Sequence, residues 1–283
     1  MASTLLGPAE IRDLADLLGI QPTKKLGQNF VHDANTVRRI VTASRVTEGT
    51  SVVEIGPGLG SLTLGLLERG AVVTAVEIDK RLAEQLPETV RLLQPGAELT
   101  LIVDDAMRVV SLPTEPTHLV ANLPYNISVP VLLHFLEHFP SLTRGLVMVQ
   151  AEVGQRLAAD PGSKVYGSPS IKAAWYGEWS TAGLVSRQVF WPVPNVDSIL
   201  VAYDRREPKG TEPERVATFE LVDAAFQQRR KMLRQSLSSV FGSSGEASDT
   251  IEAAGLKATS RGEELTVDDF LAIARVRLAA AGS

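Results

Sequence analysis

The sequence contains no cysteine. That absence removes disulfides, thiolate nucleophiles and cysteine-based zinc sites together, and it is compatible with a reducing compartment. No apolar run approaches the roughly 20 residues that cross a bilayer. The opening stretch, MASTLLGPAEIRDLADLLGI, lacks a basic start and an unbroken apolar segment, and it carries Glu10, Asp13 and Asp16. It does not read as a signal peptide, so the expectation is a soluble, cytoplasmic protein with no membrane partner. Positive charge is also short, since 28 Lys and Arg against 33 Asp and Glu leave a net charge of −5. Nucleic acids are gripped by Lys and Arg that release counterions. The total therefore counts mildly against an RNA partner, and the distribution of the positive residues matters more.

What is present suits an ordinary globular protein. The 283 residues, 44% of them hydrophobic, can fill one sizeable core and a small second domain. Helices are expected over 8–18 and 33–44. From Thr50 the patterns alternate: strand 51–55, helix 60–69, strand 71–77, helix 80–93, strands 98–103 and 117–121, helix 128–139, strand 144–150. Such alternation argues a parallel sheet with helices on both faces. After a helical stretch from Ala151, 161–168 reads as a loop, and strands resume at about 182–190 and 197–203. A polar hinge, Glu207 to Gly210, marks the expected domain boundary at 206/207, with residues 1–48 a cap segment of the first domain. Helices over 214–227, 230–240, 247–254 and 267–280 form the second.

The chain is organised around Val52 to Leu67, VVEIGPGLGSLTLGLL, where an apolar strand runs through a glycine cluster into a helix. Glycine allows positive φ and close approach of a ligand to the backbone. A second apolar strand ends at Glu77, which lies 21 positions after Gly56, the spacing that places a carboxylate on a ribose diol. A dinucleotide fingerprint would read G-x-G-x-x-G, but Ser61 stands where its third glycine belongs. The pattern Glu54-x-Gly56-x-Gly58-x-Gly60 instead resembles motif I of class I methyltransferases, which bind S-adenosylmethionine (SAM).

The strand ends form a set facing one crevice: Gly56, Glu77, Asp104-Asp105-Ala106 and Asn122-Leu123-Pro124-Tyr125. An acid after the third strand suits an adenine amino group, and the alternative is a turn or helix-capping residue. The tetrapeptide suits methylation of an exocyclic amine. The lone pair of adenine N6 is delocalised into the ring, so acceptors that draw its hydrogens favour a pyramidal nitrogen, and the Asn122 side chain and Leu123 carbonyl are candidates. Tyr125 can stack on a base turned out of its helix. No strong base is required, because the proton becomes acidic only as the methyl arrives, and catalysis rests on positioning and electrostatics.

These blocks, VEID, DDAM and NLPYNIS in this order, resemble the KsgA/RsmA family of ribosomal RNA adenine N6,N6-dimethyltransferases. LGQNF, VQAEVGQRL, PGSKVYG, FWPVPNVDS and AFQQRRKMLRQSL are similar to family blocks too, and the match runs from about Lys24 to Leu237. The resemblance implies a Rossmann-like class I SAM-dependent α/β fold with a small all-helical C-terminal domain. It implies SAM contacts from Asn29, Val31, Gly56, Glu77, Asp105 and Asn122, a target-adenine site at Asn122, Leu123, Pro124 and Tyr125, and a second aromatic face from Phe190. The substrate it implies is two adjacent adenines near the 3′ end of 16S rRNA in a partly assembled small (30S) subunit, with two SAM used per adenine.

Two positions depart from the family pattern. Ala151 and Asn195 stand where lysines are common, which thins the positive charge on the expected RNA face. Lys24 and Lys25, read either as a cofactor or phosphate grip or as a solvated connector, are RNA-binding candidates. So are Arg229-Arg230-Lys231 and Arg234, in a stretch from Ala224 to Gly245 without an acid; helical spacing would put Arg230 and Arg234 on one face. His134-Phe135-Leu136-Glu137-His138 matches the zinc pattern H-x-x-E-H, but no third ligand is evident and no metal is expected. The rivals are a 23S rRNA methyltransferase of the resistance type, a non-catalytic assembly or transcription factor on the same fold, and an NAD-dependent oxidoreductase. The expected oligomeric state is monomer.

Overall fold

The structure, a computed structural model, describes residues 4–20 and 29–281. The chain divides into two compact units: one runs to Gly154 and includes Ser180–Arg205, the other takes Gln155–Trp179 and everything from Arg206 onward. The second unit thus begins beside the expected cut at 206/207 but also claims 155–179, which a single cut assigns to the first domain.

In the first unit, helix α1 (Pro8–Leu17) and strand β1 (Phe30–Val31) precede α2 (Ala34–Ala43), β2 (Ser51–Ile55), α3 (Ser61–Glu68), β3 (Val72–Glu77), α4 (Lys80–Leu93), β4 (Leu99–Val103), β5 (His118–Asn122), α5 (Ser128–His138) and β6 (Arg144–Gln150). Next along the chain come α6 (Ala151–Leu157), whose residues from Gln155 on fall in the second unit, α7 (Ser168–Tyr176), which falls in the second unit, and β7 (Gly177–Val185), before β8 (Phe190–Trp191) and β9 (Ser198–Arg205) of the first. Seven strands make one sheet in the order β4-β3-β2-β5-β6-β9-β7. The five from β4 to β6 are parallel, and β9 runs antiparallel to β6, pairing Arg144 with Asp204 and Gln150 with Ser198. Val52, Val53 and Ile55 of β2 and Val73, Ala75 and Val76 of β3 are buried, as expected of parallel strands covered on both faces. The chain leaves β2 toward β3 and β4, then returns to the other side of β2 as β5. That reversal opens a crevice at the carboxyl ends of β2 and β5, where ligands of such sheets bind.

Two expectations are corrected here. The strand expected over 182–190 is β7, ending at Val185, followed by a short 3-10 turn over Arg187–Val189 and then β8. β7 reads poorly because most of its side chains are exposed, so it has no apolar alternation to read. The loop expected over 161–168 gives way to α7 at Ser168, with a proline in its first turn.

The second unit contains α7, α8 (Glu212–Gln227), α9 (Leu233–Ser236), α10 (Ser238–Phe241), α11 (Ser244–Ala253) and α12 (Val267–Ala281). Trp175 of α7 meets Phe219 of α8 edge-on at 5.9 Å, and Lys172 reaches Asp223 at 2.7 Å. These contacts explain why 168–176 clusters with the C-terminal helices. The expected helix over 230–240 does not form as one piece. Met232 pairs with Arg261 in an isolated antiparallel bridge, and Leu233 N–H donates to the Ser260 carbonyl at 2.7 Å, so the chain is extended at Met232 and only the short α9 and α10 form within the expected span. Arg230 therefore precedes α9 and does not share a helix face with Arg234.

Candidate active site

The crevice is walled by the segments that end the strands. Gly56, Gly58 and Gly60 take φ of +67°, +58° and +94°, so the backbone turns left-handed three times before α3 begins at Ser61. A Cβ at Gly58 would sit 2.9 Å from the Phe30 ring, which ties the glycine turn to β1. Asn29, Val31, Gly56, Glu77, Asp105, Asn122 and Pro124 all line one cavity, joined by Glu54, Ser61, Ile78 and others. The expected cofactor residues are thus brought together. Lys24 and Lys25 lie outside the described residues.

Glu77 is 6% exposed, and its two carboxylate oxygens accept from Gly58 N–H at 3.1 Å and Asp79 N–H at 2.9 Å. Burial pushes its pKa upward, and these N–H groups oppose the shift. Glu54 lies deeper, at 1% exposed, with Thr63 donating to it at 2.6 Å. Desolvation, against the Thr63 hydrogen bond and reinforced by nearby Glu77, raises its pKa to about 8, so at neutral pH it is mostly a carboxylic acid. Asp105 caps its turn by accepting Met107 N–H at 2.9 Å.

Asn122 ends β5, and its side-chain N–H donates to the Asn29 carbonyl at 3.0 Å. That bond holds the donor end of a planar amide against β1 and turns its oxygen to the other side. Leu123 is buried, with its N–H on the Met148 carbonyl. The Tyr125 hydroxyl hydrogen-bonds Ser198 Oγ at 2.6 Å, and burial raises its pKa despite that bond, which keeps the phenol neutral. Phe190 differs from expectation in exposure: it pairs with Val31 across the β1–β8 ribbon and is 1% exposed. Its ring is packed in the core and presents no open face.

Arg229 bonds Glu263 at 2.8 Å and the Lys164 carbonyl at 2.9 Å, so its guanidinium is spent on structure. Arg230 and Lys231 are exposed and Arg234 is half-buried. His134 engages the Val109 carbonyl and His138 the His134 carbonyl, each through a ring nitrogen. Among the described residues no three His, Cys, Asp or Glu converge as a metal site, and no helix is long and apolar enough to cross a membrane.

Sequence reasoning missed Ser198, which anchors Tyr125 from a strand 73 positions away, and Ile78, half of whose surface or more faces solvent beside the cavity. Ser198 sat inside the quoted block FWPVPNVDS without a role; only the sheet order brings it to Tyr125.

The family model described as ribosomal RNA adenine dimethylase matches residues 20–277. The chain belongs to that family. Family membership makes it a SAM-dependent ribosomal RNA adenine dimethyltransferase, and the relatives agree. "Ribosomal RNA small subunit methyltransferase A" of Leifsonia xyli subsp. xyli is 66% identical over 95% of this chain and 98% of its own length. The protein of that name from Streptomyces griseus subsp. griseus is 58% identical over 95% and 94%. Among solved structures, a dimethyladenosine transferase from Plasmodium falciparum superposes with a TM-score of 0.73 at 23% identity, covering 89% of this chain and 98% of that one. The 23S rRNA methyltransferase ErmE gives 0.65 at 25%, covering 88% and 99%. Both support the class I methyltransferase fold.

The cavity suits SAM on its own evidence. The position a Cβ would take at Gly56 has nothing nearer than Pro124 at 3.9 Å, so the backbone is open to a ligand. The buried Ser61 hydroxyl has no partner among the described residues. Each Glu77 oxygen has accepted one backbone N–H, and a carboxylate has further lone pairs for a ribose diol.

Proposed function

We propose that the chain dimethylates N6 of two adjacent adenines in the 3′-terminal hairpin of 16S rRNA, within a small (30S) ribosomal subunit still being assembled. It acts in the cytoplasm as a monomer, as a step of ribosome biogenesis. The relatives' printed name supports the small subunit as substrate, and the observation that carries the chemistry is the Asn122 amide, fixed through its N–H to Asn29.

SAM, when bound, supplies a methyl group on a positively charged sulfur. Glu77 takes the ribose hydroxyls, Asp105 the adenine amino group, and Asn29, Val31 and Gly56 complete the wall. Asn122 Oδ1 and the Leu123 carbonyl accept the N6 hydrogens of the target adenine and draw its lone pair out of the ring. Pro124 stiffens the turn, and the Tyr125 ring, held by Ser198, stacks on the base. Phe190 backs the site from the core and offers a face only if its cover moves. Lys24, Lys25, Arg230, Lys231 and Arg234 hold rRNA phosphates, while Arg229 shapes the segment that presents them.

The test is labelled methyl transfer from SAM to small subunits with and without the 3′-terminal dimethyladenines. Up to four methyls per unmodified subunit and none on modified ones is the expected result. Transfer to large-subunit rRNA instead would reassign the substrate, and no transfer with SAM still bound would leave a non-catalytic factor.

A further inference from the structure

Beyond Asn195, which stands where a lysine is common, the loop between β8 and β9 has no part in the assignments above. It runs Pro192-Val193-Pro194-Asn195-Val196-Asp197 and is fixed at both ends. At one end Trp191 pairs and stacks with Phe30 of the cavity wall. At the other Ser198 holds the Tyr125 hydroxyl. The loop therefore bridges the cofactor wall and the proposed target-adenine turn.

Its interior is fixed as well. Arg187 bonds the Asn195 carbonyl at 3.2 Å and the Asp197 carboxylate at 3.0 Å, clamping the far limb. Pro194 is buried, and the residue before it is turned outward. The result is that Val193 is 62% exposed and Val196 42% exposed on a rigid tip. Single exposed valines are ordinary. Two on one pinned hexapeptide beside the catalytic turn are a different matter, because a loop free to relax would tuck them in.

Charge fits the same occupant. The one acid on the tip, Asp197, is paired with Arg187, so the tip offers no bare negative charge to a phosphate backbone. Taking a stacked base out of its neighbours costs a few kcal/mol, and proteins that unstack bases commonly insert an apolar side chain in the gap.

We propose that Val193, supported by Val196, is an apolar wedge that fills the stack vacated by the target adenine and so holds the base out for methylation. The inference rests on the rRNA-adenine reading above. It assigns a specificity role to a side chain outside the cavity: the wedge lowers the cost of the extruded state without touching SAM.

The test uses the full chain and unmodified small subunits, with 2-aminopurine in place of the target adenine for the extrusion signal and ordinary adenine for methyl transfer. Val193→Ser is expected to cut both the 2-aminopurine fluorescence rise and the methylation rate by roughly tenfold, with calorimetric SAM affinity unchanged. Val193→Leu and Val193→Met are expected to restore both. A serine variant that extrudes and methylates as wild type overturns the wedge, as do leucine and methionine variants no better than serine, or a parallel loss of SAM affinity. Wild-type protein that transfers no methyl to these subunits fails the underlying reading, and that failure is visible before any variant is made.

Discussion

The strand-end crevice and the helical unit handle charge in opposite ways. In the crevice Glu77 and Glu54 are buried and answered by uncharged groups: Glu77 by the backbone N–H groups of Gly58 and Asp79, Glu54 by the Thr63 hydroxyl and by keeping its proton. In the helical unit charges lie at the surface and answer each other, as Arg277 does Glu220 and Lys209 does Asp268. Exposed pairs of that kind contribute roughly 0–1 kcal/mol, whereas a buried polar group stripped of its partner costs about 1–3 kcal/mol. A single side chain should therefore matter far more in the crevice.

The strongest break of that contrast is Asn122→Ala. It is expected to lower methyl transfer by at least about 100-fold while SAM still binds, checked by single-turnover transfer beside calorimetry. Near-normal transfer would remove Asn122 from the chemistry. Next is Glu77→Ala, expected to weaken SAM binding by roughly tenfold or more, since a charged hydrogen-bonding group is worth about 1.5–3 kcal/mol. RNA binding should hardly change, and unchanged calorimetric SAM affinity would take Glu77 off the ribose.

Glu54 sharpens the comparison through pH. Its pKa rises from an ordinary 4.5 to about 8 in the folded protein. Between those values the folded state holds a proton that the unfolded state releases. Stability owed to this group therefore falls as pH rises from about 4.5 to about 8 and is level above, by at most about 1.4 kcal/mol per pH unit. Glu54→Gln, neutral throughout, should flatten that decline in denaturant melts; an unaltered slope would mean Glu54 is ionised when folded.

The smallest effect belongs to the exposed cations. Replacing Arg230 and Arg234 by alanine should reduce the slope of log affinity against log salt for subunit binding by about one per side chain. Arg229→Ala should change the slope less and stability more, because Glu263 and the Lys164 carbonyl already hold it. Equal slopes for all three would erase the distinction.

How far the sequence could be read follows the same divide. Central strands buried on both faces announce themselves as apolar runs, and 51–55 and 144–150 are found at those bounds, as is the amphipathic helix 80–93. Gly56, Glu77 and Asn122 were legible because each ends such a run. β7 was misplaced because it is an exposed edge. β1 and β8, two residues each, are too short to have a period. The break at Met232 comes from pairing with Arg261, a partner no local window contains. Phe190's burial is likewise set by Val31, far away in the chain.

The two-residue ribbon of β1 and β8 also sets a timetable. Val31 and Phe190 are about 160 positions apart in the chain. At about 5–20 residues per second of synthesis, roughly 8–30 seconds separate the making of the first strand from that of its partner. Until then Asn29 cannot be held where Asn122 finds it, although the sheet strands β2 to β6 already exist. An enzyme nascent on its own ribosome thus has the central parallel strands of its scaffold well before it has a finished wall.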